Sequence, residues 1–346
     1  MNVLKEAKFV MKRDDLILAI VGSGGEGVAS AGEILLRAAA HEGLYSMLVR
    51  SYGPQIRGGE SLAQIRLSPL PVRSRGDALD ALVVLSWANF FRFSGEVFLH
   101  DDAIVFYDAA DAPPENLPFP PSVKFYPVPF AEAAKKSAGS TLSKNILALG
   151  YICGWFNLPS AGFEQAIRDR FSKKSGDVLL SNLKAFQAGR EMAEAAEERA
   201  PRVWHIREKR PMLILTGNEA VSIGSLFAGV KFYSGYPITP ASEIMEWMAR
   251  ELPKFDGEFV QTEDEIAAVT MAIGASFGGV KAMTATSGPG LSLMTEAIGL
   301  AAMAELPLVV VDVQRGGPST GIPTKTSQSD LLHTVFGGHG NLPRIV

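Results

Sequence analysis

Cysteine is all but missing from this chain, with one, Cys153, in 346 residues. No internal disulfide can form, and a cluster that needs several thiolates cannot be held by this chain alone. Cys153 closes the apolar run Ile146-Leu-Ala-Leu-Gly-Tyr-Ile-Cys153, the setting of a buried, unreactive thiol. So little cysteine fits a reducing compartment, and the cytoplasm is the expected location. Excess charge of one sign is also lacking: the formal net charge is −4. That leaves no electrostatic basis for binding nucleic acid or an anionic membrane. Long apolar runs are absent. The early run Leu16 to Val21 is far too short to cross a bilayer, and Met1 to Lys8 lacks the hydrophobic region of a leader. His333 and His339 are too far apart for a recognisable metal motif, so no metal site is expected in this chain. There is no short tandem repeat.

What is present suggests two α/β domains. Hydrophobic residues make up 47% of the chain, enough for two ordinary cores. Leu16 to Val21 reads as a buried strand running into a glycine-rich turn, followed by an amphipathic helix over 28–42. Strands are predicted at 45–50, 78–85 and 103–107, and the proline-rich stretch 111–121 reads as a loop. Helices follow at 143–156, 163–171 and 177–198. The stretch from Ala200 to Pro211 carries two prolines and mixed charges, the signature of a linker. The expected division is therefore a first domain over 1–199, a linker over 200–211 and a second domain over 212–346. In the second domain strands at 212–216, 231–233, 258–261, 281–286 and 308–313 alternate with helices at 219–228, 241–251, 265–277 and 291–304. That alternation implies a parallel sheet with helices on both faces.

The turn Gly22-Ser-Gly-Gly-Glu-Gly27 fits G-x-G-x-x-G between a strand and a helix, with Gly22, Gly24, Gly25 and Gly27 as its glycines. Three readings are open. It could seat a dinucleotide, bind another phosphate, or simply allow a tight turn and close helix–sheet packing. The second strand offers no acidic residue for a ribose, although Arg50 and Ser51 could suit a 2′-phosphate. A non-catalytic NADP- or nucleotide-binding module is thus one candidate function.

Taken with Ser51-Tyr-Gly-Pro-Gln-Ile-Arg-Gly-Gly-Glu-Ser61 and Lys144-Asn-Ile-Leu-Ala-Leu-Gly150, the glycine turn resembles the gamma domain of 2-oxoacid:acceptor oxidoreductases. The likeness covers about 14–198. It implies that Arg57, Gly58 and Gly59 form a turn facing a neighbouring subunit or the path of coenzyme A.

The second domain resembles the pyrimidine-binding domain of thiamine-diphosphate enzymes, as found in the alpha subunit of 2-oxoacid:ferredoxin oxidoreductases. Four stretches carry the likeness in order: Tyr233-Ser-Gly-Tyr-Pro-Ile-Thr-Pro240, Gln261-Thr-Glu-Asp-Glu-Ile-Ala-Ala268, Thr286-Ser-Gly-Pro-Gly290 and Val313-Gln-Arg-Gly-Gly-Pro-Ser-Thr-Gly321. Such enzymes need a carboxyl group on N1′ of the aminopyrimidine, so that the cofactor's own 4′-imino group can take the C2 proton. Glu263 and Glu265 compete for that role. The family glutamate opens a helix of small residues with a glycine nine positions on, and Glu265 meets this through Ala267, Ala268 and Gly274. The alternative is that these acids only complement a helix N-terminus.

The resemblance further implies cofactor contacts from Tyr236, Pro237, Ile238, Ser287 and Gly288. It aims the Thr239 hydroxyl at the substrate, although Thr239 could equally cap the helix that follows. Arg315, just past a strand end, would grip the 2-oxoacid carboxylate with two hydrogen bonds, unless it serves an unrelated ion pair. Ser319, Thr320, Thr324 and Lys325 could meet a second, distal carboxylate, which favours 2-oxoglutarate over pyruvate.

Three function classes are in play. The resemblance implies a fused gamma–alpha subunit of a thiamine-dependent enzyme that converts 2-oxoglutarate to succinyl-CoA, with coenzyme A as acyl acceptor and electrons passed to ferredoxin, a step of the tricarboxylic acid cycle. Pyruvate or another 2-oxoacid is the alternative substrate. A nucleotide-binding module and a non-oxidative thiamine lyase are the others, and the gamma-like half argues against the lyase. In the family a beta subunit supplies Mg²⁺, the diphosphate half of the thiamine site and a 4Fe–4S cluster. A (gamma–alpha)2beta2 assembly, inactive without beta, is the expectation. The family's alpha subunit also runs on into a further α/β domain after the position of Val346, so a chain cut short at its C-terminus is expected.

Overall fold

The structure is a computed structural model. It describes residues 14–52, 59–88, 90–92, 94–199, 201–206, 212–323 and 327–346. The chain divides into two compact units, Met1–Ile214 and Leu215–Val346.

The first unit runs β1 (Leu16–Ser23), α1 (Val28–His41), β2 (Tyr45–Tyr52), β3 (Glu60–Ser68), β4 (Leu79–Val84), β5 (Leu99–Asp108), β6 (Lys124–Val128), α2 (Phe130–Ala138), α3 (Lys144–Trp155), α4 (Ser160–Phe171) and α5 (Gly176–Glu194). The strand order is β2-β3-β1-β4-β5-β6. β1, β4, β5 and β6 pair in parallel, while β3 runs antiparallel between β2 and β1. β1 reads as an unbroken apolar run because it is covered on both faces. Leu16, Leu18 and Ile20 pack under the helices. Ile17, Ala19 and Val21 meet a second cluster built on Trp87, Phe90 and Val97.

Cys153 lies in α3 within the helical core. Its thiol donates to the Leu158 carbonyl at 3.2 Å, and burial pushes its pKa up to about 12, so it stays a protonated, inert group. α3 packs closely on α5, because Gly150 and Gly189 leave no Cβ to strike the facing backbone carbonyls of Phe186 and Leu147. Residues 201–206 are strapped to this unit rather than free. Arg202 is buried with its Nη2 3.6 Å from the buried Asp80, and the Trp204 indole donates to the Phe156 carbonyl at 2.9 Å.

The second unit runs α6 (Gly217–Phe227), β7 (Phe232–Gly235), α7 (Ser242–Glu251), β8 (Glu258–Gln261), α8 (Glu265–Phe277), β9 (Ala282–Thr286), α9 (Gly288–Met303), β10 (Val309–Asp312) and α10 (Leu331–Phe336). Its sheet, in the order β10-β9-β7-β8, is parallel throughout. Ile244, Met245 and Met248 of α7 pack on one face with Tyr233 and Met283. Val269, Ile273 and Met294 of α8 and α9 cover the other. The strand expected at 212–216 does not form. Leu213 is 87% exposed, and no strand of the described residues pairs with this segment, so its backbone has no ladder to join. Thr216 instead caps α6 through a reciprocal capping box with Glu219.

Candidate active site

All four strands of the second unit run the same way, so their C-terminal ends share one edge of the sheet. Ligands of open α/β sheets bind at that edge. Tyr236 to Thr239 follow β7, Glu265 follows β8, Ser287 and Gly288 follow β9, and Arg315 follows β10.

Glu265 is the first residue of α8 and is only 7% exposed. Its neighbours in sequence are placed differently. Glu263 is exposed, and Asp264 caps the helix by accepting from the Ala267 N–H at 2.7 Å. The helix terminus is thus served by Asp264, which frees Glu265 to turn inward. There its side chain lies against the backbone of Gly290, where an added Cβ would stand 2.8 Å from both its Cγ and its Oε1. No hydrogen bond or ion pair to the Glu265 carboxylate occurs among the described residues. A buried carboxyl group without a partner is costly, and such groups mark sites completed by something else.

Arg315 is likewise 7% exposed, and its Nη1 donates to the Thr239 carbonyl at 2.7 Å. Its Nε is buried without a partner. One edge of the guanidinium therefore ties the β10 segment to the β7 loop, while donors remain for a further acceptor. No ion pair to Arg315 occurs among the described residues. Thr239 is exposed and gives no side-chain cap to α7, whose cap residue is Ala241. Tyr236 and Pro237 are exposed, and Ile238 packs into the core beside α7. Ser287 and Gly288 are buried at the start of α9, with the Ser287 hydroxyl unpartnered. Ser319 and Thr320 are exposed. Thr324 and Lys325 lie outside the described residues, as do Arg57 and Gly58. His333 is engaged by the Thr295 hydroxyl at 3.2 Å.

Two acids at this edge were not singled out from the sequence, Asp312 and Asp330. Asp312 ends β10, and both its carboxylate oxygens are buried without hydrogen bonds. Burial first, and the charge of Asp330 second, push its pKa up to about 6. The signal was an acid closing a strand made otherwise of Leu and Val. A raised carboxyl pKa favours the folded state below the unfolded value near 4 and withdraws that favour as pH rises through about 6. Asp312→Asn is therefore expected to raise stability at pH 8 and to have no effect below pH 4. Partial exposure screens the effect to about 1 kcal/mol. Thermal denaturation of the two proteins across this pH range measures it, and equal melting temperatures at pH 8 would contradict it.

In the first unit the glycine turn fills its own anion position. The Ser23 N–H donates to Glu26 Oε2 at 2.6 Å, and the Gly24 N–H donates to the Gly59 carbonyl at 2.6 Å. Lys144 Nζ closes on Glu26 Oε1 at 2.5 Å and on the Leu85 carbonyl at 3.0 Å. Gly25 and Gly27 adopt φ of 101° and 76°, which require glycine. Ser51 donates its hydroxyl to Glu96 at 3.3 Å. An acid at that hydroxyl is the wrong sign for a 2′-phosphate. This geometry favours the tight-turn reading over the dinucleotide one. Glu26 itself was overlooked in the sequence, although it sits three residues after the N–H it binds.

Comparison with known proteins now bears on this arrangement. A family model described as pyruvate ferredoxin/flavodoxin oxidoreductase matches residues 17–192, half of the chain. The chain belongs to this family. A second model, the thiamine-diphosphate-binding domain of pyruvate flavodoxin/ferredoxin oxidoreductase, matches residues 223–345 and so contains every site residue of the second unit. The 2-oxoglutarate synthase subunit KorA of Methanocaldococcus jannaschii is 59% identical over 127 residues, 37% of this chain and 35% of that one. The 2-oxoacid:ferredoxin oxidoreductase alpha subunit of a Sulfolobus species is 34% identical over 94% of this chain and 58% of its own length. The solved 2-oxoglutarate:ferredoxin oxidoreductase of Magnetococcus marinus, which holds 2-oxoglutarate, coenzyme A and succinyl-CoA, matches with a TM-score of 0.84 at 40% identity. That match covers 96% of this chain and 58% of the solved one. This family member thus spans between about a third and three fifths of the length of these relatives.

Proposed function

We propose that this chain is the gamma–alpha part of a thiamine-dependent 2-oxoacid:ferredoxin oxidoreductase that oxidises 2-oxoglutarate to succinyl-CoA. The observation that carries the reading is the buried, unpartnered Glu265 carboxylate beside the bare backbone of Gly290. This acid stands at the C-terminal edge of the parallel sheet, where a bound aminopyrimidine ring could meet it. When bound, thiamine diphosphate supplies a nucleophilic carbon for the keto group. Glu265 holds a proton against N1′ of that ring. Arg315, with Thr239 beside it, binds and orients the substrate carboxylate. The preference for 2-oxoglutarate rests on the polar segment Ser319, Thr320 and Lys325, on the relatives named KorA and on the 2-oxoglutarate held by the Magnetococcus marinus enzyme.

This half of a site calls for partners. α8 and α9 carry apolar side chains on their outer faces: Phe277 is 81% and Met303 83% exposed, with Leu293 and Leu300 half exposed. Apolar faces this exposed suit protein cover. A beta subunit carrying Mg²⁺, the diphosphate half-site and a 4Fe–4S cluster would supply it, in a (gamma–alpha)2beta2 assembly that reduces ferredoxin. Co-expression of the chain with its partner tests this. The expected result is a complex of two copies of each chain that reduces ferredoxin with 2-oxoglutarate and coenzyme A at least tenfold better in kcat/KM than with pyruvate, an effect of about 1.4 kcal/mol. Equal rates on the two substrates would remove the 2-oxoglutarate assignment. An active one-to-one complex would remove the stoichiometry.

A further inference from the structure

Past β10 the chain leaves the sheet at Gln314 and Arg315 and returns at Ser329 and Asp330. The two ends are fastened to each other. The Ser329 hydroxyl donates to the Arg315 carbonyl at 3.2 Å, and the Asp330 N–H donates to Gln314 Oε1 at 3.3 Å. Asp330 is itself held from two sides. Its carboxylate lies on the bare Cα of Gly288, where an added Cβ would stand 2.5 and 2.6 Å from the two oxygens. Its carbonyl accepts from the Thr334 N–H at 2.8 Å and from the Thr334 hydroxyl at 2.9 Å, which ties it to α10. The returning end is thus anchored on two helices, and the departing end hangs on it. Arg315 needs that support, because its guanidinium is fixed at one edge alone, by the Thr239 carbonyl. A charged group that must meet a small carboxylate loses its effect when displaced by about 1 Å, so its backbone has to be held.

We propose that Ser329 and Asp330 are positioning residues for the 2-oxoacid. The Ser329 hydroxyl clasps the Arg315 carbonyl and the Asp330 N–H clasps the Gln314 side chain, and together they hold the Arg315 guanidinium at the place where it receives the substrate carboxylate. The inference rests on the reading of Arg315 as the carboxylate ligand. Neither clasp residue touches the substrate, so the chemical step is untouched when the clasp is loosened.

Steady-state kinetics of the assembled enzyme tests this with Ser329→Ala, Gln314→Ala, Ser329→Thr and Arg315→Leu. Ser329 is exposed, so its truncation spares the core. Ser329→Ala and Gln314→Ala are each expected to raise KM for the 2-oxoacid about fivefold, the effect of one hydrogen bond, with kcat within about twofold. The melting temperature is expected to stay within about 1 °C, and Ser329→Thr, which keeps the hydroxyl, to restore KM. An unchanged KM in both truncations, with a raised KM in Arg315→Leu, overturns the clasp and leaves the Arg315 reading standing. An unchanged KM in Arg315→Leu overturns that reading and the clasp with it. A fall in kcat and melting temperature together, without a change in KM, shows a general structural role and overturns the clasp alone.

Discussion

Replacing Glu265 by Gln is expected to lower turnover by about 10²–10⁴-fold, the usual range for a lost acid–base group, while the fold survives. The substitution is nearly isosteric, so the space beside Gly290 stays filled in the same way. What changes is the proton. A carboxyl group can hold or release one at the atom it faces, and a carboxamide cannot. Glu263→Gln is expected to change turnover less than about threefold, because Glu263 is exposed to solvent.

Arg315→Leu is expected to cost about 2–5 kcal/mol in kcat/KM, roughly 30- to 5,000-fold, on every 2-oxoacid alike. The reason is that each such substrate carries a carboxylate next to its keto group. With the guanidinium gone, that charge would be desolvated without a partner. Loss of the Thr239 contact adds a smaller term, about the worth of one hydrogen bond. Steady-state rates on 2-oxoglutarate and pyruvate, compared between wild type and variant, measure the effect. A loss confined to one substrate would mean that Arg315 reads the distal end instead.

Where a structural signal was periodic and local, the sequence carried it. The span expected for α8, from Glu265 to Phe277, is the span observed, since an Asp cap, a run of small apolar residues and a closing Gly278 all agree. The family pattern, a glutamate opening a helix of small residues, favoured Glu265 over Glu263, and the structure buries the first and exposes the second. Three elements of the first unit were missed for identifiable reasons. β3 places Gln64 and Arg66 in a covered strand, so it shows neither alternation nor a clean apolar run. Gln64 is satisfied by the Arg75 carbonyl and Arg66 by Asp15, partners far along the chain that no window reveals. β6 is an edge strand with Pro127 in it, which only an edge tolerates. α2 buries just Phe130 and Ala134, too little to stand out as a helical stripe.

The opposite error occurred at 212–216, where an apolar run suggested a strand that lacks a partner. The placement of the motif residues Arg315 and Thr239 just past strand ends of a parallel sheet was legible, because the β–α alternation fixes that edge. Asp330 and the Ser329 clasp were not. Their significance depends on which backbone faces which after a long excursion of the chain, and that is a property of tertiary structure alone.

The proposed function requires Glu265 of this chain to be the acid that serves bound thiamine diphosphate. Hydrogen–deuterium exchange at C2 of the cofactor, followed in the assembled enzyme, tests it without relying on turnover. Glu265→Gln is predicted to slow the exchange by about 10²–10⁴-fold relative to wild type, with Glu263→Gln within about threefold of it. Exchange that stops in Glu263→Gln and persists in Glu265→Gln, or that is unaffected by either, would contradict the account.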